Sequence, residues 1–206
     1  MRHRLRAIVL AAIVAAAPQA LAQGRVKADP DWPCAQIKVP SLSLNSVWSG
    51  PDIDLKSEAW RDDSAVAELV GKMAQRRVPI AEAEAAIADF AAKAGPDAKA
   101  KLLLALGGAF GELTRQRAQI IDGLVRFGKK QSEMADKIRA ENEALQSAPA
   151  EAPDTANPQS ASGQERLQWD LRVFEDRRRS ISYVCETPTL IEQRIGALAR
   201  AVQGAM

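Results

Sequence analysis

The sequence predicts an all-α fold, built as a helical bundle base with a long antiparallel coiled-coil hairpin and an extended N-terminal arm. Apolar residues make up 47% of the chain and aromatic residues only 4%, a composition that favours helices over a β-sandwich or barrel. Apolar side chains recur every three or four positions over long stretches. A Pro-, Ala- and Ser-rich segment separates two of these stretches, which is typical of a helical hairpin.

The first 22 residues predict a Sec-type signal peptide. Three arginines precede an apolar run at 7–17, and Ala20-Leu21-Ala22 offers a small-x-small cleavage site before Gln23. The apolar run is shorter than the roughly 20 residues that span a bilayer. We therefore expect cleavage after residue 22, a periplasmic or secreted protein, and no integral membrane segment after signal cleavage.

The composition of the mature chain excludes several function classes. The expected signal holds three of the 28 basic residues and none of the 26 acidic ones, so the mature chain has a net charge of −1 and no electrostatic case for nucleic acid. The only histidine is His3, which removes His-dependent triads and His-ligated metals. Two cysteines without a CxxC spacing indicate neither a thiolate metal site nor a redox motif. We expect no cofactor.

The N-terminal half of the mature chain predicts an arm and two helices. Residues 23–56 contain four prolines among many apolar residues, so we expect an extended arm that packs along a helical surface. The helical domain, 57–206, is expected to begin with a first helix at 57–77. A second helix follows Pro79 and ends at Gly95-Pro96. It is expected to bury Ile80, Ala83, Ile87, Phe90 and Ala94.

Residues 97–146 predict a coiled-coil helix. Positions spaced alternately three and four apart form a seam through six heptads, and ten of the thirteen are apolar. Such a repeat keeps its seam against a partner helix by left-handed supercoiling. The seam consists of Leu103, Leu106, Phe110, Leu113, Arg117, Ile120, Leu124, Phe127, Gln131, Met134, Ile138, Glu141 and Leu145. We interpret its three polar members as residues that set the register rather than as a buried functional site.

The next segments predict a mobile tip and a return helix. Residues 147–163 are of low complexity, and the seam pattern resumes at 164–185. The return seam is expected at Leu167, Leu171, Phe174, Arg178, Ile181 and Cys185. With the apex near 155, Leu145 should face Leu167, and Cys185 should lie level with Phe127. Pro188 is expected to start a separate last helix, capped by Thr187, that packs in another phase against the first two helices.

The two cysteines are expected to form a disulfide. Exported proteins fold in oxidising compartments, where two lone cysteines usually pair. A bond between Cys34 and Cys185 would pin the arm to the hairpin and stabilise the fold by roughly 5 kcal/mol in the loop-entropy model. Two buried free thiols are the alternative.

Three further motifs have structural interpretations. Gly107 and Gly111 indicate a close helix crossing within the bundle rather than a membrane dimer. The run 177–179 holds three arginines, expected to form interhelical ion pairs near Glu133 and Asp136. The carboxylate pairs considered for acid–base chemistry are Asp62, Asp63, Glu82 and Glu84.

These observations lead to a non-catalytic hypothesis. We expect an exported helical protein that contacts another protein, of unknown identity, as an adaptor, scaffold or chaperone-like module. The coiled coil also allows homo-oligomerisation. The alternative hypothesis is a histidine-free, carboxylate-dependent hydrolase acting on cell-wall or glycan material, which would need two carboxylates roughly 5–9.5 Å apart.

Overall fold

A computed structural model describes residues 29–147 and 158–206 of the chain. Within these ranges every regular element is helical, which confirms the all-α fold. The α-helices are α1 (Ser64–Ala74), α2 (Ile80–Ala94), α3 (Ala98–Ser147) and α4 (Pro158–Ala205). The expected signal peptide, the first residues of the arm (23–28) and most of the expected tip (148–157) lie outside the described residues.

Helices α3 and α4 form the antiparallel hairpin. The first helix of the hairpin was expected at 97–146 and is found at Ala98–Ser147. The return helix was expected from 164, whereas α4 begins at Pro158. The expectation was wrong because the composition of 158–163 is compatible with a helix, and proline is well tolerated in a first helical turn. A Cβ added to Gly163 would lie 2.9 Å from Leu145 Cδ2, so this segment packs against α3.

The earlier start of α4 changes the register of the hairpin. Leu145 lies against Gly163 instead of Leu167. Lys137 Nζ lies 2.6 Å from Asp170 Oδ2, in the same register. The predicted pairing was therefore wrong by about one helical turn. Cys185 accordingly lies about one turn nearer the base than the level of Phe127.

Helix α4 continues through Pro188, so the separate last helix that we expected is not formed. Thr187 does not cap a helix start, since its Oγ1 donates back to the carbonyl of Tyr183 at 3.5 Å. Pro188 itself is buried and occupies an inward position. The inward positions keep one seven-residue spacing through the whole helix, at Leu167, Phe174, Ile181, Pro188, Ile195 and Val202. The predicted change of buried face is nevertheless confirmed: Ile191 and Leu198 are buried, whereas Arg177 and Val184, at the same position of the repeat nearer the tip, are exposed, and this part of α4 packs against α2.

Two members of the predicted return seam point outward. Leu171 and Arg178 are exposed, and Asp170 is buried in the place of Leu171. Leu171 and Arg178 lie on the edge of the interface in the projecting part, whereas Cys185, at the same position of the repeat nearer the base, is buried as expected. On α3 the predicted seam is inward as far as Leu145.

Helix α1 is shorter than predicted because polar groups end it on both sides. The Asp63 carboxylate accepts hydrogen bonds from the backbone N–H groups of Ala65 (3.0 Å) and Val66 (3.2 Å) and caps the N-terminus. At the other end, the Arg194 guanidinium of α4 donates to the carbonyl oxygens of Met73 (2.7 Å), Val78 (2.8 Å) and Lys72 (3.2 Å). These bonds fasten the last part of α4 to the base.

Helix α2 follows Pro79 and ends at Gly95, whose φ of +62° is accessible to glycine at little cost. It buries Ala83 and Ile87 fully, and Phe90 and Ala94 in part. Ile80 was expected in the core but is 36% exposed, because it occupies the first helical position at the edge of the bundle.

The apolar core lies at one end of the molecule, in the base. It combines α1, α2, the first part of α3 and the last part of α4 with Leu44 and Trp48 of the arm and with Trp60, which lies between the arm and α1. Its largest fully buried residues include Met73, Ile87, Leu102, Leu106, Leu113, Ile191, Ile195 and Leu198. The hairpin projects from this base.

Candidate functional site

The arm lies along the hairpin, and the two cysteines meet where it does so. The Cα atoms of Cys34 and Cys185 are 5.6 Å apart, within the range that a disulfide requires. The structure thus shows a disulfide-capable pair, separated by 151 positions in the sequence. Cys185 is buried on α4, so the bond would tie the arm to the inner side of the hairpin.

The N-terminal arm approaches α3 closely at positions that are occupied by glycine. A Cβ on Gly128 would collide with the carbonyl of Asp31 and lie 3.2 Å from Pro33. A Cβ on Gly107 would lie 2.9 Å from Ile53, and one on Gly108 2.9 Å from the Trp60 ring. Gly111 has no such neighbour within 4 Å. The expected close helix crossing at Gly107 and Gly111 is therefore wrong: Gly107 makes room for Ile53 of the arm, and Gly108 for the Trp60 ring.

The arm bonds to the backbone of α4 close to Pro188. Pro188 lacks the N–H that would bond to the carbonyl of residue 184, and its ring crowds that turn of the helix. The side-chain amide of Gln36 donates to the neighbouring carbonyl oxygen, that of Cys185. The arm therefore holds α4 through both Cys34 and Gln36 at the weakest point of its backbone ladder.

Two of the three polar seam residues form contacts between α3 and α4. Arg117 is buried, and its Nε and Nη2 lie 2.8 and 2.6 Å from Glu192 Oε1. Gln131 donates to the carbonyl of Phe174 at 3.3 Å, and Glu141 Oε1 lies 3.5 Å from Lys137 Nζ. Arg117 and Gln131 link the two helices at fixed levels, as the register-setting interpretation requires, whereas Glu141 pairs within α3.

Lys137, beside the seam, pairs with a buried carboxylate of α4. The Asp170 carboxylate raises the pKa of Lys137 by hydrogen bonding, with a further contribution from Glu141. Asp170 is buried, so this pair fixes the register in the middle of the projecting hairpin. The sequence pattern did not indicate Asp170, because Leu171 beside it fits the apolar seam better.

The arginines at 177–179 do not form the interhelical ion pairs that were expected. Arg178 pairs with Glu175 (3.5 Å) and Arg179 with Asp176 (2.5 Å), both within α4. Arg177 donates to Met134 Sδ at 3.7 Å. The expected acceptors were wrong because the register is shifted by one turn; Asp136 pairs with Arg139 instead.

The carboxylates considered for acid–base chemistry are dispersed. Asp63 caps α1 and pairs with Lys101 at 2.9 Å. Glu82 lines a cleft of about 350 Å³ between α1 and α2, together with Glu68 and Asp89. Over the described ranges, no group of three or more His, Cys, Asp or Glu residues could hold a metal ion.

The outer face of α4 is the largest feature that sequence reasoning missed. Trp169, Tyr183 and Leu190 are 61%, 78% and 57% exposed. They are spaced by multiples of seven, and each follows an inward residue of α4 by two positions. A spacing analysis of the outward positions would have found this stripe, which also includes Asp176 and Ala197.

A groove adjoins the last part of this stripe. It has a volume of about 530 Å³ and lies between α4 and the start of α2. Its apolar walls are Ile80, Leu190 and Ala197. Arg194, which lines it too, is engaged with α1, and burial lowers its pKa.

None of the helices in the described part of the chain is both long and apolar enough to cross a membrane. Comparison with protein-family models, with curated proteins and with solved structures finds no match for this chain.

Proposed function

We propose that the protein is exported and acts without catalysis, as an adaptor, scaffold or chaperone-like module that contacts another protein through its projecting hairpin. The observation that carries the proposal is the separation of the hairpin from the core. Among the described residues, the core cluster includes none of α3 beyond Ile120 and none of α4 before Ile191. About 40 Å of α3 therefore extends past the core.

The contacts within the projecting part of the hairpin favour a rigid projection over an extension of the apolar core. Lys137–Asp170 and Gln131–Phe174 hold the two helices in register by polar bonds. Polar residues in a coiled-coil seam specify register at a cost in stability. A long projection that buries little apolar surface adds little to the stability of the fold. Its length is best explained by a role as a binding surface for another protein.

Two features support export. The first 22 residues have the pattern of a signal peptide, and the disulfide-capable pair suits an oxidising compartment. Intact mass of the protein recovered from the periplasm tests this. We expect a mature chain that starts at Gln23, and a mass that retains 1–22 would contradict it.

Site-specific photo-crosslinking in the periplasm tests the protein contact. Photoreactive residues at Glu133 and Ala140, which are exposed on the projecting part of α3, should yield an adduct with another protein. The matched control is Ala92, an exposed residue of α2 in the base, which should yield none. Adducts only from Ala92, or none from the hairpin, would overturn the proposal.

A further inference from the structure

We infer that α3 and α4 share a hinge at Gly123 and Pro188, and that the disulfide between arm and hairpin is a redox-sensitive switch for this hinge. While the Cys34–Cys185 bond is intact, the arm holds the hairpin in one direction relative to the base. When a dithiol reduces the bond, the hairpin bends at the hinge. This inference goes beyond the proposed function and does not rest on it, because it concerns the conformation of the chain alone.

The hinge lies where the hairpin leaves the core. Gly123 of α3 comes three residues after Ile120, and Pro188 of α4 comes three residues before Ile191. Ile120 and Ile191 are the core residues of the two helices that lie farthest toward the tip. Bending at 123 and 188 therefore leaves the core of the base in place.

Gly123 and Pro188 lie at the same level of the hairpin. Each is eleven residues from the contact between Met134 Sδ and the Arg177 guanidinium at 3.7 Å, counted toward the base on both helices. Glycine is a poor helix former, and proline removes a backbone hydrogen bond from a helix interior. Sharp kinks of long helices occur mainly at such residues. Both helices therefore bend most easily at one level, which lets the hairpin move as a unit.

The arm is held on both sides of the hinge. Toward the tip, the carbonyl of Asp31 lies over Gly128, and the Cα atoms of Cys34 and Cys185 are 5.6 Å apart. Toward the base, Leu44 of the arm is buried in the core. A segment that is fixed at both ends across a hinge limits its bending. The arm therefore keeps the hairpin in its observed direction for as long as both attachments last.

The attachment toward the tip depends on the disulfide. Residues 29–38 form a compact loop, in which Lys38 Nζ lies 2.6 Å from Asp29 Oδ2 and Trp32 Nε1 donates to the carbonyl of Gln36 at 2.6 Å. Within the described ranges, one hydrogen bond joins this loop to the hairpin, from the Gln36 amide to the carbonyl of Cys185. The internal bonds of the loop survive reduction, so it leaves α4 as one piece.

The chemistry of release is a thiol–disulfide exchange with a dithiol. Cys34 is partly exposed and Cys185 is buried, so a thiolate of the dithiol attacks Cys34 Sγ. The bond between the two cysteines breaks, and Cys185 leaves as a thiolate that takes up a proton. The second thiolate of the dithiol then attacks the dithiol's own sulfur in the mixed disulfide and releases Cys34, which takes up the second proton. Two electrons and two protons pass to the cysteines, and the dithiol becomes a disulfide.

Hydrogen–deuterium exchange of the full mature chain tests the hinge. In the oxidised parent, the amides of 119–128 and 181–192 should exchange no faster than those of α1 and α2. After reduction with dithiothreitol they should exchange at least about 10-fold faster than those of α1 and α2, and low urea should not change their rates, because bending exposes little surface. Hinge amides that follow α1 and α2 in rate and urea dependence would report unfolding of the whole chain and overturn the inference.

A rescue variant tests the two hinge residues. Gly123→Ala/Pro188→Ala places good helix formers at this level, and a Cβ at 123 would meet Arg126 Nη2 at 3.8 Å, an ordinary contact. The reduced double variant should show hinge exchange within about threefold of the oxidised parent. Gly111→Ala, on the same helix within the base, is the matched control and should leave the reduced rates unchanged. Equal slowing by Gly111→Ala would contradict a hinge at 123 and 188.

Pulsed EPR distances test the movement itself. Spin labels on keto amino acids at Ala92 in the base and Ala140 on the hairpin, both exposed, leave the cysteines untouched. A kink of about 20° at Gly123 moves Ala140, about 25 Å further along α3, by roughly 9 Å. Cys34→Ser, which cannot form the bond, should therefore broaden or shift the distance distribution of the oxidised parent. An unchanged distribution would sink the inference and would leave the partner adducts expected at Glu133 and Ala140 unaffected.

Discussion

The backbone carbonyl of Asp31 lies directly over Gly128, in the space that a Cβ would occupy. The contact joins the arm to the projecting part of α3, about 12 Å beyond Ile120, the last core residue of this helix. Gly128 is buried in the interior of α3. At such a position a glycine normally destabilises the helix by about 1 kcal/mol relative to alanine. The close approach of the arm accounts for its presence.

Gly128→Ala should displace the arm. The methyl group collides with backbone rather than with a flexible side chain, so we expect a loss of about 1–3 kcal/mol in the free energy of unfolding, as for overpacked interiors. Urea denaturation measures it. The matched control is Gly111→Ala on the same helix, which meets nothing within 4 Å and should stabilise by about 0.5–1 kcal/mol. The same sign for both variants would show that the arm does not rest on Gly128.

The cysteine pair should be oxidised in the exported protein. Peptide mapping without reduction should recover one linked pair, Cys34 with Cys185. Cys34→Ser should lower the free energy of unfolding by about 2–5 kcal/mol, because the bond closes a very long loop. Reductant should reproduce this loss in the parent protein and have no further effect on the variant. Free thiols on both residues, or a dimer linked through Cys34, would contradict the prediction.

The sequence was most informative where a long apolar repeat dominates. The seam from Leu103 to Leu145 predicted α3 to within one residue at each end. The cysteines were predicted to meet from compartment and chain topology alone, and the structure brings them together. Both inferences depend on features that neighbouring elements do not alter.

The features that the sequence did not predict depend on tertiary packing. Pro188 was expected to end a helix, but the arm's Gln36 bonds a carbonyl beside the proline gap, and α4 continues. Residues 158–163 were assigned to the tip, although Gly163 packs on Leu145. In both places a contact from a distant segment outweighs the local preference.

The ion pair between Asp63 and Lys101 should make stability depend on pH in acid. The hydrogen bond from Lys101, followed by those from the α1 backbone, holds the pKa of Asp63 below its ordinary value of 3.8. A depressed pKa stabilises the folded state above the unfolded pKa, and this stabilisation is lost as the pH falls through the folded pKa. Asp63→Asn keeps a capping side chain but removes the charge.

We therefore expect Asp63→Asn to lose less stability than the parent protein when the pH is lowered from 5 to about 2, the window below the carboxylate's ordinary pKa. Thermal unfolding across this range measures it. Asp62→Asn, the neighbouring exposed carboxylate, is the control and should follow the parent. Parallel curves for the parent and Asp63→Asn would exclude a role for this pair.

The buried pair at the hairpin root gives the last prediction. Arg117 is 3% exposed, and Glu192 supplies the carboxylate that faces it. Glu192→Ala leaves a buried guanidinium without its partner, so we expect a loss of about 3 kcal/mol in the free energy of unfolding. Asp136→Ala, which breaks the exposed pair with Arg139, should cost no more than about 0.5 kcal/mol.

The double variant Arg117→Met/Glu192→Leu separates the cost of an unpaired charge from the value of the pair. Apolar side chains of similar size avoid the desolvation of both charges, so the double variant should recover most of the stability that Glu192→Ala loses. Urea denaturation of the three variants gives the comparison. If the double variant is as unstable as Glu192→Ala, the pair itself stabilises the junction of α3 and α4, and the register-setting interpretation of Arg117 is too weak.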